Sequence, residues 1–108
     1  MQARNERIEE ALRMAAAEFL SREAGAPPLG GLITVTGAQV SEDAGRAVVR
    51  ITVLPESYEG AALEFANRNR GEVAAYFRSR VRGVRPPRLM FELDRGEKNR
   101  QRLDELSK

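Results

Sequence analysis

The hydrophobic residues of this chain follow a helical spacing at its start. Between residues 5 and 22 the apolar side chains recur three and four positions apart, which predicts one amphipathic helix. They are Ile8, Ala11, Leu12, Ala15, Ala16, Phe19 and Leu20. Gly25 suits the position just after a helix, and Pro27 with Pro28 prevents the helix from resuming.

Two strands are predicted next. The segment Leu32–Val40 is rich in β-branched residues, and Arg46–Leu54 alternates apolar with other residues. In the second segment the residues that alternate onto one side are Val49, Ile51 and Val53. The link at residues 41–45, "SEDAG", is short and turn-forming, so we expect the two strands to pair as an antiparallel hairpin.

Helical spacing returns after Pro55 and is interrupted near Gly71. The first part is carried by Tyr58, Ala62, Phe65 and Ala66, and the second by Val73, Phe77, Val81 and Val84. On the neighbouring face of the second part, arginines recur at i, i+4 and i+7, which predicts a helical stripe of Arg78, Arg82 and Arg85.

A third strand follows Pro86 and Pro87, with Leu89, Phe91 and Leu93 alternating inward. The order helix, strand, strand, helix, helix, strand predicts an α+β fold, with helices packed on one face of a three-stranded sheet. Because the two-helix crossover is not a tight hairpin, we expect the third strand to pair beside the first.

The length of 108 residues predicts a single domain spanning residues 1–108. For the charged segment at residues 95–108 two alternatives stay open. It forms either a short helix held by Leu103 and Leu106 or a mobile C-terminal tail.

The composition excludes most catalytic chemistry. The chain has no cysteine and no histidine, so thiol nucleophiles, thiolate metal sites and the commonest general base are absent. No apolar run reaches the roughly 18 residues of a membrane span, and the N-terminus is charged from the outset. We therefore expect a cytoplasmic protein that is no enzyme, with no cofactor, metal, small-molecule substrate or membrane partner. Nothing in the sequence demands more than a monomer.

The net charge of +2 is unevenly distributed. Residues 1–66 contain 6 basic and 10 acidic side chains, whereas residues 67–102 contain 11 basic and 4 acidic ones. Of the 18 basic residues, 16 are arginine, whose planar fork pairs bidentately with phosphate. This distribution favours a polyanionic partner. The alternative is an arginine-rich proteome and a merely solvated basic face.

The sequence "NRG" at the helix interruption is the main candidate binding feature. A glycine inside a helix costs about 1 kcal/mol relative to alanine, which indicates a conformation that other residues resist. Asn69 tolerates the left-handed region and caps helices. A new helix start would expose N–H groups that bind anions, flanked by Arg68 and Arg70. The alternative is an ordinary helix–helix turn that needs Gly71 for its geometry.

Three stretches of the sequence jointly resemble one known family. They are "LGGLITVTGAQVSEDAGRAVVRITVLPE", "ALEFANRNRGEVAAYFRSRV" and "RPPRLMFELDRGEKNRQRLDEL". A V-T-x-x-x-V-S-x-D pattern is filled by Val35, Thr36, Val40, Ser41 and Asp43. A later proline, an aliphatic–Phe strand and an aspartate are matched by Pro87, Leu89, Phe91 and Asp94. In order and spacing the chain is similar to the ribosome-binding factor A family, which has a type II KH-like fold.

The resemblance implies a non-catalytic assembly factor. Family members bind the immature small ribosomal subunit, contact 16S rRNA, and assist late maturation and 5′-end processing, with a marked role in the cold. The free or immature small subunit and its 16S rRNA are thus the expected partners. The candidate RNA-binding residues are Arg68, Asn69, Arg70, Gly71, Arg78, Arg82, Arg85 and Arg88.

The chain departs from the family pattern at the helix interruption. Where the family has an Ala-x-Gly kink, Asn69 replaces the alanine and Gly71 keeps the glycine. Glu72 begins the segment that replaces an aromatic-Ile-Arg sequence, so an expected basic side chain is missing and an acid is present beside the site. The resemblance therefore implies that affinity rests more on Arg78, Arg82, Arg85 and Arg88.

Two other classes of function compete with RNA binding. Asp43 and Asp94 are a candidate pair of catalytic carboxylates, but each lies just beyond a predicted strand, where aspartate commonly makes a turn or caps the next element. A protein–protein adaptor would need an exposed apolar patch, and the only candidate stretch is "EGAALEFA" with Leu63.

Overall fold

The computed structural model describes residues 2–24 and 31–96. The helices are α1 (Gln2–Ala24), α2 (Glu59–Arg68) and α3 (Arg70–Arg80), and a 3-10 turn at Glu56–Tyr58 precedes α2. The strands are β1 (Leu32–Val40), β2 (Arg46–Leu54) and β3 (Arg88–Leu93). The predicted α+β order and the bounds of the first two strands are confirmed. The predictions for residues 25–30 and 97–108 lie outside the described residues.

The β1–β2 hairpin is antiparallel, as predicted, and its turn is built by side chains. The Asp43 carboxylate accepts hydrogen bonds from the Gly45 N–H at 2.9 Å and the Ser41 hydroxyl at 2.8 Å. These two donors, Gly45 first, hold the pKa of Asp43 below its ordinary value. Helix α1 reaches the same end of the hairpin, where the Glu9 carboxylate accepts the Val40 N–H at 2.8 Å.

The third strand does not lie where the sequence pattern predicted. The sheet order is β1-β2-β3, and β3 pairs in parallel with β2, so the expectation of pairing beside β1 is wrong. A connection containing two helices is long enough to return the chain to the same end of β2, which is what a parallel neighbour requires. The sheet is therefore mixed.

The core lies between the helices and one face of the sheet. Strand residues that alternate inward are buried, including Val49, Ile51 and Val53 of β2 and Leu89 and Phe91 of β3. The helices contribute the buried side chains Ile8, Leu12, Ala15, Ala16, Phe19, Leu20, Ala62, Ala66, Val73 and Phe77. All three helices thus cover the inward face only. No helix among the described residues is long and apolar enough to cross a membrane.

Two features of the helix pair differ from the sequence prediction. Gly71 lies inside α3 rather than at the interruption, and its φ is not positive. The interruption is Asn69, with φ −100° and ψ 15°, so it does not adopt the left-handed conformation that asparagine tolerates. A single non-helical residue is enough to end one helix and redirect the next, and Asn69 does this without positive φ.

Helix α3 also ends earlier than predicted. Its last residue is Arg80, and Val81 is extended at φ −126° and ψ 108°. Gly83 follows with φ +78°, a conformation that favours glycine and cannot continue a helix. Arg82 and Arg85 are therefore outside the helix, and the predicted helical stripe of Arg78, Arg82 and Arg85 does not exist.

Candidate nucleic-acid interface

Asn69 separates α2 from α3 and stabilises the end of α2. Its side-chain N–H donates to the Phe65 carbonyl at 2.8 Å, and no side chain caps the start of α3. The Phe65 carbonyl also accepts the Asn69 backbone N–H at 3.2 Å, so the side chain adds a second donor to a carbonyl in the last turn of α2. The asparagine is a helix cap, as the sequence indicated, but for the preceding helix.

Asn67 fixes the position of this helix junction against β3. Its amide oxygen accepts the Phe91 N–H at 2.9 Å, and its amide nitrogen donates to the Phe91 carbonyl at 3.2 Å. The side chain therefore pairs with β3 as a neighbouring strand would, on the edge that faces away from β2. This contact sets how closely α2 and the start of α3 approach β3.

A shallow groove lies between the start of α3 and the start of β3, and we call it the α3–β3 groove. Its volume is about 480 Å³. Its lining residues are Arg70, Gly71, Ala74, Pro87, Arg88 and Leu89. Three of the predicted RNA-binding residues, Arg70, Gly71 and Arg88, thus meet here from two different elements. Arg70 and Arg88 are exposed, so their guanidinium groups are available at its rim.

Gly71 lies at an open part of the groove, which a single Cβ atom would not fill. A Cβ atom at this position would meet no atom within 4 Å, so the glycine relieves no steric conflict within the chain. The empty space lies above the helix backbone, where a bound strand can approach closely. Because Gly71 is helical and its φ is not positive, the turn does not require a glycine there, and the open space leaves room for a ligand.

Helical geometry places Arg78 on the groove side of α3 and Glu72 away from it. Arg78 follows Gly71 by seven residues and Ala74 by four, so all three share one face at 3.6 residues per turn. Glu72 is rotated about 100° from Gly71 around the helix axis. The acid that stands beside the glycine therefore does not enter the groove.

The remaining predicted residues lie elsewhere. Arg68 is exposed at the end of α2, and Arg82 and Arg85 are exposed in the connection between α3 and β3. None of the three lines the groove. The predicted eight residues thus divide into Arg70, Gly71 and Arg88 in the groove, Arg78 beside them on α3, Asn69 as a cap, and three separate surface arginines.

The opposite flank of α3 packs against α1 through Tyr76. The Tyr76 hydroxyl donates to Glu18 at 2.6 Å, and this hydrogen bond is the main reason that its pKa is raised. The guanidinium carbon of Arg22 lies 4.8 Å from the ring centroid and that of Arg80 lies 5.6 Å away. Tyr76 therefore joins two helices and is not a base-stacking platform. Tyr58 is 38% exposed at the end of the sheet far from the groove.

Residues of the family sequence pattern have structural roles here. Val35 and Val40 are buried, and Ser41 with Asp43 builds the hairpin turn. The Thr36 hydroxyl donates to the Asp94 carboxylate at 2.5 Å and so joins β1 to the end of β3. The residues of this sequence pattern therefore stabilise the fold, whereas the positive charge of the groove comes from other residues.

The described residues offer no catalytic constellation. Asp43 lies in the turn before β2. The Asp94 backbone N–H donates to the carbonyl of Ile51, which lies about 17 Å further along β2. The two carboxylates cannot act on one bond. Across residues 2–24 and 31–96, no three side chains of the metal-binding types come together. The exposed apolar patch expected of a protein–protein adaptor is not formed by Leu63, because this side chain is half-buried and packs against the core.

Asn67 was missed at the sequence level, although a signal was present. It follows Leu63 by four residues and so continues the half-buried flank of α2 with a polar amide. A half-buried amide normally has hydrogen-bond partners, but the identity of Phe91, 24 residues away, follows only from the fold.

Comparison with known proteins gives consistent matches. A family model described as ribosome-binding factor A matches residues 4–107. The ribosome-binding factor A of Halorhodospira halophila is 33% identical over 110 residues, which cover 96% of this chain and 86% of the relative. The crystal structure of ribosome-binding factor A from Thermus thermophilus matches with a TM-score of 0.71 and 30% identity, covering 85% of this chain and 98% of that chain.

A second structural match comes from a ribosomal complex. Coordinates of Thermus thermophilus RbfA, fitted as a homology model into the cryo-EM map of a 30S–RbfA complex, match with a TM-score of 0.66 and 31% identity. The match covers 80% of this chain and 90% of that chain.

The element order, the mixed three-stranded sheet and the one-sided helix layer define an α+β domain of the type II KH-like class. Within that class, the chain belongs to the ribosome-binding factor A family.

Proposed function

We propose that this protein binds the immature small ribosomal subunit through 16S rRNA held in the α3–β3 groove. The observation that carries the proposal is the convergence of Arg70, Gly71 and Arg88 at one open groove. Among the described residues the ion pairs are Arg13–Glu10 and Arg80–Glu18, so the groove arginines are free to bind phosphate. A relative of similar fold occupies the 30S subunit in a cryo-EM complex, which supports the same partner.

The mechanism is differential binding without a catalytic step. The protein favours one arrangement of the rRNA over another and shifts their equilibrium only by the difference in its affinity for the two. The proposed consequences are late maturation of the subunit and processing of the 5′ end of 16S rRNA, including in the cold. The protein would act as a cytoplasmic, single-domain monomer.

Phosphate contacts position the RNA, and bases are not read by stacking. The groove lining contains no aromatic residue, so the usual stacking platform for single-stranded bases is missing. Arginine contacts to phosphate make affinity depend strongly on salt.

Substitutions at Gly71 test the groove directly by filter binding to 16S rRNA. Gly71→Leu places a helix-compatible side chain in the groove, and we expect affinity to fall about tenfold. Gly71→Ala is the matched control, because its Cβ meets no atom and the groove stays open.

In a second variant, Arg70→Gln with Arg78→Gln should lower the salt slope by roughly one unit for each phosphate that is no longer neutralised. Unchanged affinity for Gly71→Leu together with an unchanged slope would contradict the groove as the RNA site.

A further inference from the structure

The outward face of the sheet is a second surface with unusual chemistry. The helices cover the inward face, and no described residue packs over the outward one. On β2 and β3 the outward side chains are Arg46, Val48, Arg50, Thr52, Leu54, Arg88, Met90 and Glu92. This surface, which we call the outer face, thus combines three arginines and one acid with apolar side chains.

The arginines of the outer face outnumber its one acid, Glu92, which is the register partner of Arg50. Arg46 and Arg88 are register partners on adjacent strands, about 5 Å apart. Arg50 lies four residues further along β2, about 13 Å away. None of the three forms an ion pair with a described residue. Their net positive charge favours an anionic partner.

Arg50 is held on the sheet surface. One terminal nitrogen of its guanidinium donates to the Gln39 side chain at 3.2 Å, and its Nε is buried without a hydrogen-bond partner. A side chain held in this way loses little conformational freedom when it binds, which favours contact with a ligand.

An apolar strip lies between the charged positions. Val48 and Met90 are register partners, and Met90 is 50% exposed between the charged outward residues Arg88 and Glu92 of β3. Thioether and aliphatic surface can lie against the face of a base while arginines contact the adjoining phosphates. This combination fits single-stranded or looped RNA.

Arg88 links the outer face to the α3–β3 groove. It lines the groove, and it is also the first outward residue of β3. We propose that the outer face of β2 and β3 is a second RNA-contact surface, which holds the rRNA segment adjoining the one in the groove. The inference rests on the proposed function, because it extends the same RNA beyond the groove.

Cross-linking from single cysteines tests the inference, since the chain has no cysteine of its own. Met90→Cys carries a benzophenone probe on the outer face, and Gly71→Cys carries one in the groove. The subunits are present at a saturating concentration, so that the weaker binding expected of a large side chain at position 71 does not empty the site. Met14→Cys on α1 is the matched control, because Met14 and Met90 are each 50% exposed. Each labelled full-length protein is bound to immature small subunits and irradiated, and its cross-links are assigned to rRNA or to ribosomal proteins.

We expect rRNA cross-links from positions 71 and 90, at neighbouring nucleotides, and none above background from position 14. A cross-link from position 90 to ribosomal protein alone, or no cross-link, would overturn the inference while position 71 still supports the groove. Equal rRNA cross-linking from positions 14 and 90 would overturn it too. If position 71 also fails to reach rRNA, the proposed function fails and the inference falls with it.

A charge-loss pair gives an independent readout. Arg46→Gln with Arg50→Gln should lower the salt slope for small-subunit binding by roughly two units. Arg7→Gln with Arg13→Gln on α1 removes the same charge from the other side of the molecule and should leave the slope unchanged. Equal effects of the two pairs would show that net charge alone is responsible and would overturn the inference.

Discussion

At the scale of single residues, Asn67 shows how a local polar group sets the geometry of the candidate site. Its two bonds to the Phe91 backbone join α2 to the edge of β3 beside the groove. The contact also blocks part of a strand edge that would otherwise be open to pairing with another chain. The width of the groove therefore depends on a side chain that does not line it.

Replacing Asn67 should destabilise the fold measurably. Asn67→Ala leaves the Phe91 N–H and carbonyl without their partners, and we expect the free energy of unfolding to fall by about 1–3 kcal/mol. Urea unfolding followed by circular dichroism measures the change. Asn69→Ala is the comparison, because it removes one bond to a helix-end carbonyl and should cost only about 1 kcal/mol. A decrease below about 0.5 kcal/mol for Asn67→Ala would contradict the structural role.

The residue types of the site could be predicted, but only some of the contacts. Arg70, Gly71 and Arg88 were predicted from charge and from the helix interruption, and they do meet at one groove. The sequence did not place Asn67 or the outward Arg46 and Arg50 near them. Which residue faces which depends on pairing between distant segments, and a linear pattern does not contain that information.

At the scale of elements, the hairpin was predictable because its signals are local. β-Branched residues predicted the first strand and alternation the second, and the turn residues Ser41 and Asp43 act within the turn itself. The position of β3 was not predictable in this way. Both neighbours of β3 were compatible with its alternation, and only the path of the two-helix crossover selects the parallel pairing with β2.

The apolar periodicity of the sequence also did not reveal where α3 ends. The apolar spacing continues through Val81 and Val84, both of which pack against the core, although neither is helical. The backbone turns at Gly83, and non-helical residues then fill the next apolar positions. Apolar residues therefore remain periodic and buried beyond the end of the helix. The predicted helical stripe of arginines, which assumed that the helix continued, was wrong.

Two glycine substitutions should have opposite effects on stability. Gly83→Ala forces a side chain into φ +78°, and we expect the free energy of unfolding to fall by about 1–2 kcal/mol. Gly71→Ala lies within α3 with free space around its Cβ and should raise it by up to about 1 kcal/mol. Thermal and urea unfolding of both variants measures this. The same sign for the two would contradict the described end of α3 or the helical placement of Gly71.

At the scale of the whole molecule, charge and fold act together. The acidic half of the sequence, residues 1–66, contains α1 and the hairpin, and the basic segment 67–102 contains α3 and β3. The fold brings Arg46 and Arg50 of the acidic half onto the same sheet face as Arg88. The positive surface is therefore larger than the sequence segment that suggested it, and its field attracts polyanions over several ångströms.

The most direct test of RNA binding is co-sedimentation of the protein with immature and mature small ribosomal subunits across a series of salt concentrations. We expect binding that prefers the immature particle and weakens steeply with salt, and Arg70→Gln with Arg78→Gln should reduce both the binding and its salt slope. Binding that is insensitive to salt and unchanged in the variant would contradict the account, as would the absence of binding to either particle at low salt.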